Sequence, residues 1–329
     1  MMLNQNSEIT KNLAIVVPCF NEEEMLEPQE NNELGLFLAE FNKLSFNESI
    51  NLSFVFIDDG SRDKTLYHLR RLSNIDNRVH YVSFSRNFGK ESALYAGLEN
   101  ALALNPSADY IVTMDVDLQD PPSLLPNMLD ICLSNEYDTV ATRRVTRKGE
   151  PIIRSFFARM FYRIINKISS TEIVDGARDF RMMPRKMVEA LIAMPEVNRF
   201  SKGLFSWVGF KTKWLEYENI NRKAGETKWS FWKLFKYSID GIASFSTTPL
   251  YISSFVGIIT CLAAFIYLIV VLVKTLAFGE VVKGYPSLMC VILFFSGVML
   301  TCVGILGLYL SKMYIEVKRR PIYVIKESK

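Results

Sequence analysis

Histidine is almost absent from the chain: His68 and His80 are the only two in 329 residues. Neither stands near a Ser or Cys nucleophile pattern, which leaves a histidine-activated hydrolase without its base. The five cysteines, Cys19, Cys132, Cys261, Cys290 and Cys302, are odd in number and have no zinc-site spacing, so they suggest neither a disulfide framework nor a metal ribbon. They fit a reducing compartment. No apolar signal core is found near the start. Met1–Lys11 is polar and Leu13–Val17 is too short, so the globular part is expected to stay in the cytoplasm. A net charge of +3 gives no basic excess for nucleic acid. Internal repeats, low-complexity tracts and long linkers are also missing.

Charge is missing locally as well. Leu250–Val273 and Leu288–Leu310 contain no Asp, Glu, Lys or Arg. Roughly 20 apolar residues cross a hydrocarbon core of about 30 Å, so both runs are long enough to span; buried core helices seldom run so long uncharged. Lys228, Lys233 and Lys236 precede the first run, and Lys312, Lys318, Arg319, Arg320, Lys326 and Lys329 follow the second. The loop between them holds only Lys274 and Lys283, against Glu280. The positive-inside rule then puts both termini and the globular domain in the cytoplasm, with a multi-pass hairpin in the cytoplasmic membrane. The expected division is a globular domain over 1–220, an amphipathic interfacial segment over 221–247, and two transmembrane helices with a short tail over 248–329.

The first half alternates strand-like runs (Leu13–Val17, Leu52–Ile57, Val79–Phe84, Tyr110–Met114, Thr139–Thr142) with helix-like segments (Glu22–Lys43, Lys64–Ser73, Lys90–Leu104, Pro122–Leu133). That pattern predicts an α/β fold, a mostly parallel sheet with helices on both faces. Ligands of such sheets bind beyond the carboxyl ends of the strands. Ile152–Ile168 has one apolar stripe, an amphipathic helix that packs on the core or lies on a membrane surface, with core packing favoured. Lys228–Phe245 interleaves Trp229, Phe231, Trp232, Phe235 and Tyr237 with lysines, a composition that lies flat at a headgroup interface.

The sharpest chemical feature is Asp115-Val116-Asp117, at the end of the fourth strand-like run. Two carboxylates there can hold a hard cation, Mg²⁺ or Mn²⁺, against substrate phosphates, or form only a solvated turn. Asp58-Asp59-Gly60-Ser61 is a turn, or a carboxylate that accepts from a nucleobase or ribose. Arg86 and Lys90 are surface charges, or contacts to a diphosphate. Asp175, Arg178, Asp179 and Arg181 read as a surface salt-bridge cluster.

The stretches VVPCFNEEE, IDDGSRDKT, SRNFGKESALYAGL, MDVDLQDPP, VDGARDFRMMPRKM, RFSKGLFSWVGF and NRKAGETKWSFWKLFKYSIDGIASFS occur in that order over most of residues 13–247. With them the chain resembles the family-2 glycosyltransferases of GT-A fold. More narrowly it resembles the polyprenyl-phosphate (bactoprenol) glucosyltransferases, relatives of dolichyl-phosphate mannose synthase. The resemblance implies that Pro18, Asn21 and Glu22 line a nucleotide pocket and that Asp58 or Asp59 reads the base. It implies that Asp115 and Asp117 hold metal and diphosphate, with Gln119 near the sugar. Asp179 falls where the family places a proposed catalytic acidic residue. Arg222 and Lys228 would touch the lipid phosphate or the donor diphosphate. Val116 stands where many relatives carry Ala, and Glu27–Glu33 reads as a polar insertion.

The implied reaction is an inverting transfer of a sugar, glucose from UDP-glucose, onto polyprenyl phosphate. UDP-N-acetylglucosamine and GDP-mannose donors, and a homo-oligomeric state, stay open. A non-catalytic membrane scaffold would be expected to lose the Asp115/Asp117 pair, which is present. A transporter would be expected to place ionisable groups within its spans, and these have none.

Overall fold

The computed structural model describes residues 10–29, 32–144, 160, 163, 165–169, 173–217, 241–244, 246–278 and 284–329. Most of the interfacial segment Lys228–Phe245, most of Ile152–Ile168, and the two basic residues Arg222 and Lys228 lie outside the described residues.

Strand β1 (Lys11–Cys19) carries Leu13–Val17 with no exposed surface on either side. A continuous apolar run of this kind belongs in the middle of a parallel sheet covered on both faces. β1 pairs in parallel with β2 (Ile50–Asp58) on one side and β4 (Tyr110–Thr113) on the other, and β3 (Val79–Phe84) extends the sheet beyond β2. The predicted mostly parallel core is therefore present. The rest of the sheet is mixed. β6 (Ala177–Pro184) runs antiparallel to both β4 and β5 (Thr139–Arg144), and β7 (Thr212–Tyr217) closes that edge parallel to β5. The order across eight strands is β7-β5-β6-β4-β1-β2-β3-β8.

Helices cover both faces. On one face lie α1 (Glu23–Leu26), α2 (Gly35–Phe41), α3 (Thr65–Ile75) and α5 (Leu125–Leu133), around Phe37, Phe41, Phe54 and Phe56. Phe41 meets Phe54 edge-on at 5.0 Å; each such ring contributes about 1.5–3 kcal/mol by burial. On the other face lie α4 (Lys90–Leu104), α6 (Arg185–Ile192) and α7 (Ser201–Trp207). Gly97 lets α4 press onto β1: a Cβ there would stand 2.2 Å from a Val16 methyl. The continuous helix expected over Glu22–Lys43 is instead two short ones. Between them Gln29 and Asn32 exchange backbone hydrogen bonds in a small turn, and Gly35 has φ +75°, which interrupts a helix.

Two helices follow: α8 (Thr248–Phe278) and α9 (Tyr285–Val317). Both are long and apolar enough to cross a membrane, and no residue of their most apolar windows is buried. They are therefore not core helices of the globular part. Large side chains such as Leu276 (79% exposed) and Leu300 (72%) point outward. Tyr309 of α9 donates its hydroxyl to Ser246 O at 2.6 Å, just before α8. Beyond α9 the chain forms β8 (Ile325–Ser328), which joins the sheet antiparallel to β3. The segment read from sequence as a short tail thus supplies a strand.

Candidate active site

The chain moves outward from β1 to β2 and β3, then returns to β4 on the other side of β1. That reversal opens a crevice beyond the carboxyl ends of β1 and β4. The residues after each strand meet there.

After β1, Asn21 adopts φ 56°, a left-handed conformation that Asn tolerates. Its backbone N–H donates to Ser61 Oγ (3.0 Å), and its Oδ1 accepts from Arg62 N–H (2.8 Å). Glu22 N–H donates to Thr65 Oγ1 at 2.8 Å. Asn21 and Glu22 thereby lock the loop after β1 to the loop after β2, while Pro18 sits half-buried opposite Ile57.

After β2, both aspartates are buried and hold neighbouring segments. Asp58 accepts from Ser61 N–H (2.9 Å) and from the Ser83 hydroxyl (2.6 Å). Asp59 accepts from Phe88 N–H (2.6 Å) and Gly89 N–H (2.9 Å). Burial pushes the Asp59 carboxyl up to about 6, against the two amide donors that favour its anion. Gly60 lies so close to the strand-β3 exit that a Cβ would fall 2.4 Å from the Arg86 carbonyl carbon. The Asp58–Ser61 turn and the Arg86–Gly89 loop are thus one interlocked unit.

The first residue of α4, Lys90, crosses the crevice. Its Nζ lies 2.7 Å from Asp115 Oδ1, 2.9 Å from Asp115 Oδ2 and 2.5 Å from Asp179 Oδ2. Burial opposes the ammonium, but the two carboxylates outweigh it and raise the Lys90 pKa above its ordinary value. Burial likewise opposes the Asp179 anion, but Lys90, then Lys202 and Arg178, hold that carboxyl well below the usual range. Arg86 takes no part in this cluster. Its guanidinium stacks on Phe88 at 4.1 Å and donates to Asn87 O.

Asp117 is buried and its Oδ1 accepts from Gln119 N–H at 3.1 Å. Leu118 between them has φ 53°, a strained conformation for a branched residue. The turn presents Gln119 Oε1 to Arg178 Nη2 at 3.4 Å. Asp120 has no exposed surface. Its Oδ1 accepts from Arg178 Nε (2.9 Å) and from the Tyr217 hydroxyl, while Oδ2 has no hydrogen-bond partner among the described residues.

Residues 14–192 match the sequence profile described as Glycosyl transferase family 2. The chain belongs to glycosyl transferase family 2. This family-2 glycosyltransferase is 40% identical to the Prophage bactoprenol glucosyl transferase homolog of Escherichia coli K12, over 96% of the chain and 99% of the relative. It is also 40% identical to the Bactoprenol glucosyl transferase of Shigella phage SfII (96% and 98%) and to the Putative glycosyltransferase CsbB of Bacillus subtilis (96% and 92%). Among solved structures, glucosyl-3-phosphoglycerate synthase from Mycobacterium tuberculosis is similar over 71% of this chain and 78% of its own, at 16% identity and a TM-score of 0.43.

Of the residues expected in the site, the fold brings Lys90, Asp115 and Asp179 into direct contact and packs Asn21, Glu22, Asp58, Asp59, Asp117 and Gln119 into the loops around them. The cluster Val174–Arg181 is not a surface network. Arg181 is 2% exposed and sits against the Phe205 and Trp214 rings, and Arg178 pairs with the buried Asp120. Three residues join the site that the sequence does not single out: Asp120, Lys202 and Glu91. Lys202 Nζ donates to Ala177 O at 2.7 Å, and Glu91 accepts from Ser201 N–H and hydroxyl, fixing the start of α7. The QDPP run following the paired aspartates was the available signal for Asp120.

Proposed function

We propose that this glycosyltransferase moves glucose from UDP-glucose to polyprenyl phosphate at the cytoplasmic face of the membrane. The observation that carries the reading is a likeness spanning 96% of the chain, apolar helices included, to proteins named bactoprenol glucosyl transferase. The acid cluster at the sheet crevice supports it.

The reaction is one displacement at the anomeric carbon. An acceptor phosphate oxygen forms the new C–O bond, the bond to the donor diphosphate breaks, and UDP leaves with the electron pair. A phosphate monoester is largely ionised at pH 7, with a second pKa of about 6, so no proton need be removed from the nucleophile. Asp179 fits this: a carboxylate held far below neutral is a weak base, and its role is to orient Lys90 and, with it, the diphosphate. Most of the rate then comes from positioning and charge stabilisation.

The donor set of Asp115 and Asp117, two hard carboxylates on one loop beside an expected diphosphate, fits Mg²⁺ or Mn²⁺. When bound, the ion would neutralise charge on the departing UDP. Lys90 already spans both Asp115 oxygens, so its ammonium and the ion would share that carboxylate.

The hairpin reading draws support from β8. A strand that follows α9 pairs in the same sheet as β1, so the chain returns to the side it left. The lysine and arginine bias assigns that side to the cytoplasm. The test is purified protein with polyprenyl phosphate and labelled UDP-glucose, UDP-N-acetylglucosamine or GDP-mannose. Label moving into the lipid fraction from UDP-glucose is expected, and transfer from GDP-mannose alone would replace the donor assignment.

A further inference from the structure

The ladder between β2 and β3 runs from Phe54↔Val79 to Asp58↔Ser83. On the opposite edge of β3 the far end of the chain pairs. β8 pairs Ser83 with Glu327 and Phe84 with Ile325, and Ser85 N–H donates to Val324 O at 2.9 Å. At the other end of this short ladder Tyr81 and Lys329 exchange both backbone hydrogen bonds, at 3.0 and 2.9 Å.

Side chains secure the pairing. Arg70 of α3 grips Glu327 with two bonds, Nε to Oε1 at 2.7 Å and Nη2 to Oε2 at 2.5 Å, and the Tyr81 hydroxyl adds a third at 3.2 Å. A bidentate guanidinium–carboxylate pair fixes geometry as well as charge. The Tyr323 ring stacks on Phe84 at 4.9 Å, and its hydroxyl reaches Glu99 of α4 at 2.6 Å. Just upstream, Glu316 near the end of α9 accepts from Val197 N–H (3.1 Å), Asn198 N–H (2.8 Å) and Asn198 Nδ2 (3.0 Å). The last turn of α9 and the tail are therefore docked on the catalytic domain at two places.

What the tail holds is the root of the site. Phe84 and Ser85 lead directly into Arg86–Gly89, whose amides at Phe88 and Gly89 are held by Asp59 and whose backbone abuts Gly60. Ser83, opposite Glu327, donates to Asp58. Lys90 comes next in the chain and bridges Asp115 and Asp179.

We propose that the tail Pro321–Lys329 is a positioning element of the donor half of the site. Docked on the end of β3, it fixes the Arg86–Gly89 loop and the Asp58–Ser61 turn, so that affinity for a nucleoside diphosphate depends on a segment that emerges from the second apolar helix. A tail that merely protected a sheet edge would add stability alone. The claim rests on the nucleotide-sugar reading above, but its first test does not need a nucleotide.

The experiment compares the full chain with a deletion of Pro321–Lys329, and with the double variant Tyr323→Ala/Glu327→Ala, which keeps the strand's length should the deletion fail to fold. Hydrogen exchange is followed at Phe88 and Gly89, with Ile111 and Val112 in β4 as controls. Exchange at Phe88 and Gly89 is expected to quicken about tenfold or more while the β4 amides stay protected. Calorimetric affinity for UDP is expected to weaken about fivefold or more, with the KM for lipid phosphate unmoved. Wild-type exchange at Phe88 and Gly89 together with wild-type UDP affinity, in a folded variant, overturns the proposal. A parent protein that binds neither UDP nor GDP counts against the function reading instead, and the exchange comparison still decides the role of the tail.

Discussion

Lys90 Nζ lies 2.5 Å from Asp179 Oδ2, with the two oxygens of Asp115 at 2.7 and 2.9 Å on the same ammonium. One cation therefore ties the loop after β4 to strand β6 at the mouth of the crevice. Removing it leaves two carboxylates facing each other. In Lys90→Met, burial is no longer opposed by its largest counter-charge and the Asp179 carboxyl should rise. The expected result is a fall in kcat of about 10²-fold or more, with a new acid limb in the pH–rate profile. An unchanged profile with an unchanged kcat would remove Lys90 from the site.

Asp59 gives a pH-dependent stability. Its folded pKa of about 6 exceeds the unfolded value of about 3.9. A raised carboxyl binds its proton more tightly in the folded state, so its contribution is fully present below about pH 4 and is lost as pH rises through 6. The difference in Tm between wild type and Asp59→Asn should therefore shift against the wild type between pH 4 and 7. A difference that stays flat over this range would show that Asp59 titrates in its ordinary range.

Asp120 is the buried counter-charge of Arg178. Asp120→Asn keeps the shape but removes the charge, and breaking a buried pair costs about 3–5 kcal/mol. Because Arg178 also reaches Gln119, turnover should fall along with stability. Chemical denaturation and steady-state kinetics check both; a loss of stability with full turnover would confine Asp120 to the core.

Topology is tested by thiol labelling in intact cells. A cysteine at Ser287, in the first turn of α9, should react with an impermeant reagent from outside, and one at Ser328, in β8, should not. The reverse pattern would invert the orientation and remove access to cytoplasmic donors.

Much of this was legible in the sequence because it is local. Leu13–Val17 is a continuous apolar run, and a run buried on both faces has one place to go. Asp58, Asp59, Asp115 and Asp117 stand at strand ends, where topology gathers ligands. β6 was not legible. Its residues Ala177–Pro184 mix Arg178, Asp179 and Arg181 with apolar side chains; Arg178 pairs with Asp120, Asp179 with Lys90, and Arg181 lies against the rings of Phe205 and Trp214, all from distant parts of the chain. β8 was hidden for the same reason. Ile325–Ser328 has no strand periodicity, and its partner β3 lies more than 240 residues away, as the Tyr81–Glu327 contact shows. Pairing at that separation leaves no local pattern to read.

Transfer of a hexose to a lipid phosphate is the activity proposed for the crevice that holds Asp115, Asp117, Lys90 and Asp179. The most direct measurement is single-turnover transfer from labelled UDP-glucose to short-chain polyprenyl phosphate by the purified full chain, beside Asp117→Asn. One lipid-linked sugar formed per UDP released is expected in the wild type, and a loss of about 10²-fold or more in the variant with hydrogen exchange in β1 and β4 unchanged. Full transfer by Asp117→Asn would contradict it, as would release of UDP by the wild type with the label going to water rather than to lipid.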